Sequence, residues 1–477
     1  MSSNSLFIDN NLKQASVPEK LPEKGSNIYF IGICGSSMSG LAVMLKAFGY
    51  NVCGSDRSEG SSALSLKSSG IPVNIGQKAE NIGDDIDLAI YTVAVGEDNP
   101  EVKEVRRRKI PLIERGKFLG MLSRAYRYCI SVAGTHGKTT TTAMLGSIMI
   151  AAGIDPAIHL GGTFPLIGGS VRPSTGDYLI TEACEYYRHM LELSSFGAIL
   201  LNVESEHLDY YKTDANIDAA FSEFASSVSS DGFMVVCAQN KRAMDASRSC
   251  RAKVVSYALR EDMLSAEFEA GNITSRGDHT NFTLFHNGIP HAELCVNVPG
   301  RHNVLNATAA AAAAWYLGAG RESIKEGLSA FTGTGRRFEK KGMVRGALLI
   351  DDYAHHPTEV KATLSAARDT IGKEGRIIAI FQVHTFTRAK DFPDWFADSL
   401  KEADKIIVSD IYAAREKDPG DVSGATLAEL FTSKGLDAVY ISSFEKIAEH
   451  VSSMICPNDL VITLGAGDIN KVLPMIR

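Results

Sequence analysis

What this chain lacks narrows its class before any motif is read. Its eight cysteines include no C-x-x-C pair, which removes a zinc knuckle and a disulfide framework. Scattered single thiols are those of a reducing compartment. Basic residues are not in excess: 49 Lys and Arg stand against 56 Asp and Glu, a formal net charge of -7. Nucleic acid is therefore not expected as the main partner, because neutralising its phosphates needs surplus positive charge. A small phosphorylated ligand in a local positive pocket remains open. The opening "MSSNSLFIDNNLKQASVPEKLPEKG" has no sustained apolar run, so residues 1–25 read as a mobile arm and not as a signal peptide. The most membrane-like stretch, "NATAAAAAAWYLGAG", is too short to span a bilayer. No short tandem repeat is present. These absences predict a cytoplasmic protein with no membrane contact.

What is present is a soluble, globular balance of 44% hydrophobic and 22% charged residues. A length of 477 residues exceeds one core and implies about three domains. Three blocks alternate strand with helix, so the expected class is α/β: three domains, each a mostly parallel sheet with flanking helices. The boundaries fall at 26–118, 119–332 and 333–477. In such sheets ligands sit beyond the carboxyl ends of the strands, and the polar clusters of this sequence fall there one after another.

The strongest cluster is "YCISVAGTHGKTTTTAML", which reads as strand, tight turn and helix. Gly134 and Gly137 leave backbone N–H groups uncovered where the helix N-terminus points. Lys138 can neutralise β/γ-phosphate charge, and Thr139 or Thr140 can offer a hydroxyl to Mg²⁺. The longer phosphate loop places a glycine where this chain has Val132. A plain tight turn is the alternative, but it leaves the lysine unexplained. A second glycine loop, "GICGSSMSG", follows the first strand. Gly32, Gly35 and Gly40 only loosely echo a dinucleotide fingerprint, and Asp56 ends the next strand where a ribose can be gripped. Close strand–helix packing explains that loop equally well. Two phosphate loops in successive domains imply two phosphorylated ligands and a reaction between them.

"TEACEYYR" and "NVESEHLDYY" bring Glu182, Glu185, Glu204, Glu206, His207 and Asp209 to strand ends, where carboxylates can hold magnesium or form a solvated acidic rim. "GRHNVLNATAA" opens an Ala-rich helix suited to close packing. Asn303 and Asn306 can meet an adenine edge there, or Asn303 can cap the helix. "DDYAHHPTEV" and "FQVHTFTRAKD" sit at strand ends of the third block. Pro357 and Glu359 suit a first helical turn. His355 and His356 are adjacent candidates, and Arg388 and Lys390 can hold carboxylate or phosphate.

Together these motifs resemble the Mur ligase superfamily, ATP-dependent amide-forming enzymes of peptidoglycan synthesis. The resemblance covers residues 26–477. The family's short loop, GTxGKT, matches "GTHGKT" at 134–139 and accounts for Val132. "RHNVLNA", "GRRFEKKG", "DDYAHHPTEV" and "FQVHTFTR" are similar to the alanine-adding branch. The branch that attaches a tripeptide is similar in the same places, and a nucleotide-binding regulator without ligase chemistry is the alternative of another class. Two departures stand out. Cys34 lies where the family usually has glycine. Val383 and Thr385 replace a common proline and a frequent arginine.

The resemblance implies a Rossmann-like first domain for UDP, a P-loop-type central ATPase and a Rossmann-like third domain for the amino acid. The implied substrates are UDP-N-acetylmuramic acid and L-alanine with ATP and Mg²⁺, in a monomer or homodimer. Gly32, Gly35, Ser36, Ser39, Asp56, Thr92 and His136 would meet the UDP-sugar. Gly134, Thr135, Gly137, Lys138, Thr139, Thr140, Asn303, Asn306, Arg337 and Asp351 would meet ATP. Thr139, Glu182 and His207 would hold magnesium. Lys138, His207, His355, His356 and Arg388 would carry catalysis, and a hinge is expected near "AFTGTGRR".

Overall fold

The computed structural model describes residues 20–277, 279–414 and 416–477. Most of the expected arm, residues 1–19, lies outside them. Its last residues are anchored: the Tyr50 hydroxyl donates to the Pro22 carbonyl at 2.8 Å.

Among the described residues three sheets follow one another. The first has five parallel strands, in the order Val73–Ile75, Asn51–Asp56, Asn27–Ile31, Leu88–Tyr91 and Leu112–Glu114. Strand Asn27–Ile31 is central and almost wholly buried, as its unbroken apolar run demands. The strand order reverses beside it, which opens a crevice at its carboxyl end.

The second sheet has ten strands. Tyr128–Ala133 lies between Gly197–Leu200 and Tyr178–Ala183, parallel to both. Ala157–Phe164 continues the parallel set on one side, and Phe233–Cys237, Lys253–Leu259 and Phe268–Arg276 on the other. Antiparallel strands then extend both edges: Gly169–Arg172 at one, His279–His286 and Ile289–Val296 at the other. The simple strand–helix alternation read from the sequence does not anticipate the extension over Phe268–Val296. It carries its own mark in Asn287-Gly288, both at positive φ (51° and 76°), the backbone a two-residue hairpin turn requires.

Helices Lys138–Ala151, Arg301–Tyr316 and Arg321–Ala330 cover one face of this sheet. Ala309–Ala314 are fully buried, and a Cβ on Gly327 would lie 2.4 Å from the Ile148 Cα. Small residues here set the distance between helices. The third sheet has six strands in the order Glu339–Val344, Ala347–Asp352, Leu460–Leu464, Ile377–Phe381, Lys405–Val408 and Ala438–Tyr440. Only the first pair is antiparallel. Among the described residues no helix is long and apolar enough to cross a membrane.

Candidate active site

Strand Tyr128–Ala133 ends in a tight loop, and helix Lys138–Ala151 begins at once. Gly134 and Gly137 have φ of 140° and 86°, values that favour glycine. A Cβ on Gly137 would lie 2.8 Å from Asn306 Oδ1, and one on Gly134 3.1 Å from the Asn202 backbone N. Asn202 fastens the loop from the next strand end: it accepts the His136 N–H at 2.8 Å and donates to the His136 carbonyl at 3.1 Å.

Lys138 folds back over this loop. Its ammonium donates to the carbonyls of Gly134 (2.5 Å) and Thr135 (3.0 Å) and pairs with Glu185 at 2.9 Å. Burial works against the charge, but Glu185 outweighs it and raises the lysine above its ordinary value. Glu185 also lies 3.7 Å from His207 Nε2. One buried carboxylate thus sits between the lysine and the histidine. His207 adopts φ 56° and packs its ring against Tyr186 in a tilted pair, centroids 4.4 Å apart. Burial, only partly opposed by Glu185 and Glu206, lowers its pKa, which favours the neutral ring.

Thr139 and Glu182 converge on the stretch Gly161–Gly162. Gly161 N–H donates to Glu182 Oε1 at 2.7 Å, and a Cβ on Gly162 would lie 3.1 Å from the Thr139 methyl. A hydroxyl and a carboxylate at a helix N-terminus are the hard oxygen donors that magnesium takes.

The third domain closes over the loop. A cavity of about 170 Å³ is lined by His136, Thr139, Thr140, Asn303, Asn306, Arg337, Asp352 and Glu359, among others. Asn303 does not cap its helix: the N-cap is Gly300, and the buried Asn303 amide donates to the Pro299 carbonyl at 2.7 Å. Arg337 lies over the Tyr353 ring at 5.1 Å and pairs with Glu359 at 3.4 Å. Asp351 is placed elsewhere. It is fully buried on the opposite face of its strand, paired with Arg336 at 3.1 Å and accepting from Thr463 Oγ1 at 2.8 Å. Strand alternation turns Asp352 to the cavity instead, where burial raises its pKa to about 6.

His136 stands between the two domains, with Nδ1 3.1 Å from Glu359 Oε1 and Nε2 3.5 Å from Glu204 Oε2. Burial opposes its protonation, yet Glu359 and Glu204 lift its pKa to about 9. Thr358 donates to Glu204 at 2.7 Å across the same seam. His356 is fully buried and caps helix Pro357–Ile371. His355 lies 3.2 Å from Glu359 Oε2.

A second cavity of about 160 Å³ opens beside His207, with Glu206, Asp209, His384, Thr387 and Arg388 in its wall. Arg388 bonds Glu206 through Nη2 at 2.5 Å and Nε at 3.1 Å, and donates to the His384 carbonyl at 3.2 Å. Burial would push Glu206 up, but Arg388 outweighs it and holds the carboxyl far below its usual range. In this arrangement Arg388 is committed to a carboxylate of the protein. Thr385 caps the short helix that carries it. Lys390 faces away and pairs with Asp421 at 2.7 Å.

In the first domain Asp56 accepts the Cys34 N–H at 2.9 Å and the Arg57 N–H at 2.8 Å. The carboxylate therefore shapes the glycine loop. Gly32 has φ 83°, and a Cβ there would lie 3.0 Å from Thr92. Ser36 Oγ donates to the Gly161 carbonyl at 2.5 Å, which joins this loop to the glycine stretch beside Glu182. Ser39 donates to the Ser36 carbonyl at 3.0 Å. Gly35 precedes helix Ser36–Ala47 with no side-chain cap, so the first N–H groups stay open.

Sequence reasoning missed Asn202 and Asp352, and read Glu359 only as a helix-start residue. Asn202 carries no motif of its own. Glu359 gains its partners only when two domains meet.

The comparisons agree with this architecture. The Mur ligase catalytic domain matches residues 27–127, the Mur ligase middle domain 132–314 and the Mur ligase glutamate ligase domain 336–467. A UDP-N-acetylmuramate–L-alanine ligase of Acetivibrio thermocellus is 41% identical over 94% of this chain and 95% of its own length. The crystal structure of the UDP-N-acetylmuramate–alanine ligase of Thermotoga maritima is similar with TM-score 0.80 and 27% identity, covering 94% of this chain and 97% of that one. A murein peptide ligase of Psychrobacter arcticus is similar with TM-score 0.71 and 25% identity, covering 94% and 98%.

Proposed function

The chain belongs to the Mur ligase family, and on that premise we propose that it joins L-alanine to the lactyl carboxylate of UDP-N-acetylmuramic acid at the expense of ATP. The observation that carries this reading is the meeting of three domains at one seam: the Lys138 loop, the Ser36 helix that touches Gly161, and the third-domain residues Arg337, Asp352 and Glu359. The whole-length likeness to the alanine-adding ligases supports the choice of substrates.

A free carboxylate is a poor electrophile, so it must be activated. The γ-phosphoryl group of ATP passes to the lactyl carboxylate, ADP leaves, and the alanine amine attacks the resulting acyl phosphate. Phosphate is then expelled and the amide remains. Such transfer is mostly positioning and charge stabilisation. The N–H groups of the Gly134–Gly137 loop cradle the phosphates, and Lys138 moves from its internal carbonyls to the β/γ-oxygens. Asn303 and Asn306 border the nucleotide, with Arg337 and Asp352 opposite. The first glycine loop and Ser36 receive the UDP-sugar. Magnesium, when bound, supplies charge neutralisation at the phosphates; Thr139, Glu182 and His207 would hold it. Arg388 orients alanine once it exchanges Glu206 for the amino-acid carboxylate. The setting is cytoplasmic precursor synthesis for the cell wall.

The test is ADP release with ATP, Mg²⁺ and UDP-N-acetylmuramate, adding L-alanine, L-serine, glycine or a cell-wall tripeptide in turn. L-Alanine should give the highest kcat/KM. Turnover with the tripeptide alone would reassign the chain to the peptide-adding branch.

A further inference from the structure

His136 and His356 come from different domains, yet both point a ring nitrogen at one carboxylate oxygen. His136 Nε2 lies 3.5 Å from Glu204 Oε2, and His356 Nδ1 lies 3.8 Å from the same oxygen. The three ligand atoms all fall within 4.8 Å of one another. Tetrahedral zinc with bonds near 2.0–2.1 Å needs ligand atoms about 3.3 Å apart. The widest pair has to close by up to roughly 1.5 Å to reach that spacing, a movement shared between two side chains.

The tautomers suit the same point. His136 Nδ1 faces Glu359 Oε1 at 3.1 Å, so a metal ion that displaces one proton of the imidazolium takes it from Nε2, while the Nδ1–H stays on Glu359. That Nε2 is buried and, among the described residues, accepts or donates no hydrogen bond. A carboxylate behind a ligating imidazole is the arrangement that orients histidine on zinc. On His356 the Nε2 is likewise buried without a partner, and the ring stands edge-on to Phe392 at 5.4 Å and Trp395 at 5.0 Å. An N–H on that side leaves Nδ1 as the acceptor. The Thr358 N–H competes for that nitrogen at 3.4 Å, a long bond.

We propose that His136, Glu204 and His356 form a binding site for a divalent transition-metal ion of the zinc class, which ties the phosphate loop of the central domain to the first turn of helix Pro357–Ile371. Two imidazoles and one carboxylate with an open fourth position are a zinc donor set, whereas magnesium prefers oxygen. The site is separate from Thr139, Glu182 and His207, and it stands whether or not the ligase reading does. Because His136 and Glu204 also line the nucleotide cavity, an ion there holds the domains together without nucleotide.

The test uses the full chain free of nucleotide. Cobalt(II), a spectroscopic stand-in for zinc, is titrated and its visible absorption recorded, and zinc affinity is then measured by competition with a chromophoric chelator. One equivalent should give the intense absorption of a four- or five-coordinate ion, and zinc should bind at least a hundredfold tighter than magnesium. His136→Gln and Glu204→Gln should each weaken zinc at least thirtyfold and remove the cobalt bands. His356→Ala also removes a helix cap, so those two variants carry the test if it fails to fold. Wild-type affinity and bands in both, or no tight equivalent in the wild type, would overturn the proposal.

Discussion

At the scale of single residues, the site runs on buried charges that answer one another. Lys138 and Glu185 are the clearest pair, at 2.9 Å and nearly out of solvent. Removing one partner of such a pair leaves the other stranded, at a cost of about 3 kcal/mol. Lys138→Met should therefore lose both turnover, on the order of 10²–10³-fold, and stability, read by denaturant midpoint. Adding Glu185→Gln should restore the midpoint and leave turnover lost; recovery of activity in the double variant would remove the lysine from the phosphates. Two other cavity residues titrate in opposite senses. Burial lowers His302 to about 4, so its contribution is complete above about pH 6.5 and is lost as pH falls towards 4. Burial raises Asp352 to about 6, so its contribution is complete below about pH 4 and is lost as pH rises through 6. Unfolding free energies of His302→Gln and Asp352→Asn, measured in urea between pH 4 and 6.5, should tilt in opposite directions relative to the parent, each by roughly 2 kcal/mol at the extremes. Parallel profiles would contradict the burial of either group.

At the scale of elements, small residues govern how helices and strands approach. Gly327 in helix Arg321–Ala330 has no room for a methyl, since the Ile148 backbone would lie 2.4 Å away. Gly327→Ala should push this helix from Lys138–Ala151 and cost about 1–3 kcal/mol, measured by urea unfolding; an unchanged midpoint would mean the two helices are not in contact. The strand–turn–helix reading of "GTHGKT" needed only periodicity and two glycines, and the buried alanines of "NATAAAAAAWYL" were legible as packing. Which of Asp351 and Asp352 faces the cavity was not, because adjacent identical residues give alternation nothing to choose between. The hairpin at Asn287-Gly288 was written in the sequence, but the strand–helix rhythm on either side of it concealed an antiparallel edge.

At the scale of the whole molecule, the site exists only where domains meet. Glu206 and Arg388, Glu204 and Thr358, and His136 and Glu359 all join the central and third domains. None of these pairs is close in sequence, and for that reason none was legible from motif spacing. Arg388, read from the sequence as a hand for the amino-acid carboxylate, holds Glu206 across the domain seam. Arg388→Ala should leave Glu206 unpaired, favour separation of the domains, and raise the radius of gyration in solution scattering. Pairing it with Glu206→Gln should return the compact form without returning alanine affinity. If Arg388→Ala stays as compact as the parent, the pair does not hold the domains.

In the proposed reaction the lactyl carboxylate is phosphorylated before the amine attacks. The direct measurement labels that carboxylate of UDP-N-acetylmuramate with ¹⁸O and analyses the phosphate released in the complete reaction with ATP, Mg²⁺ and L-alanine. One ¹⁸O is expected in each phosphate formed with the amide product. Phosphate free of label would contradict it, because the oxygen lost from the carboxylate would then not have been carried by phosphorus.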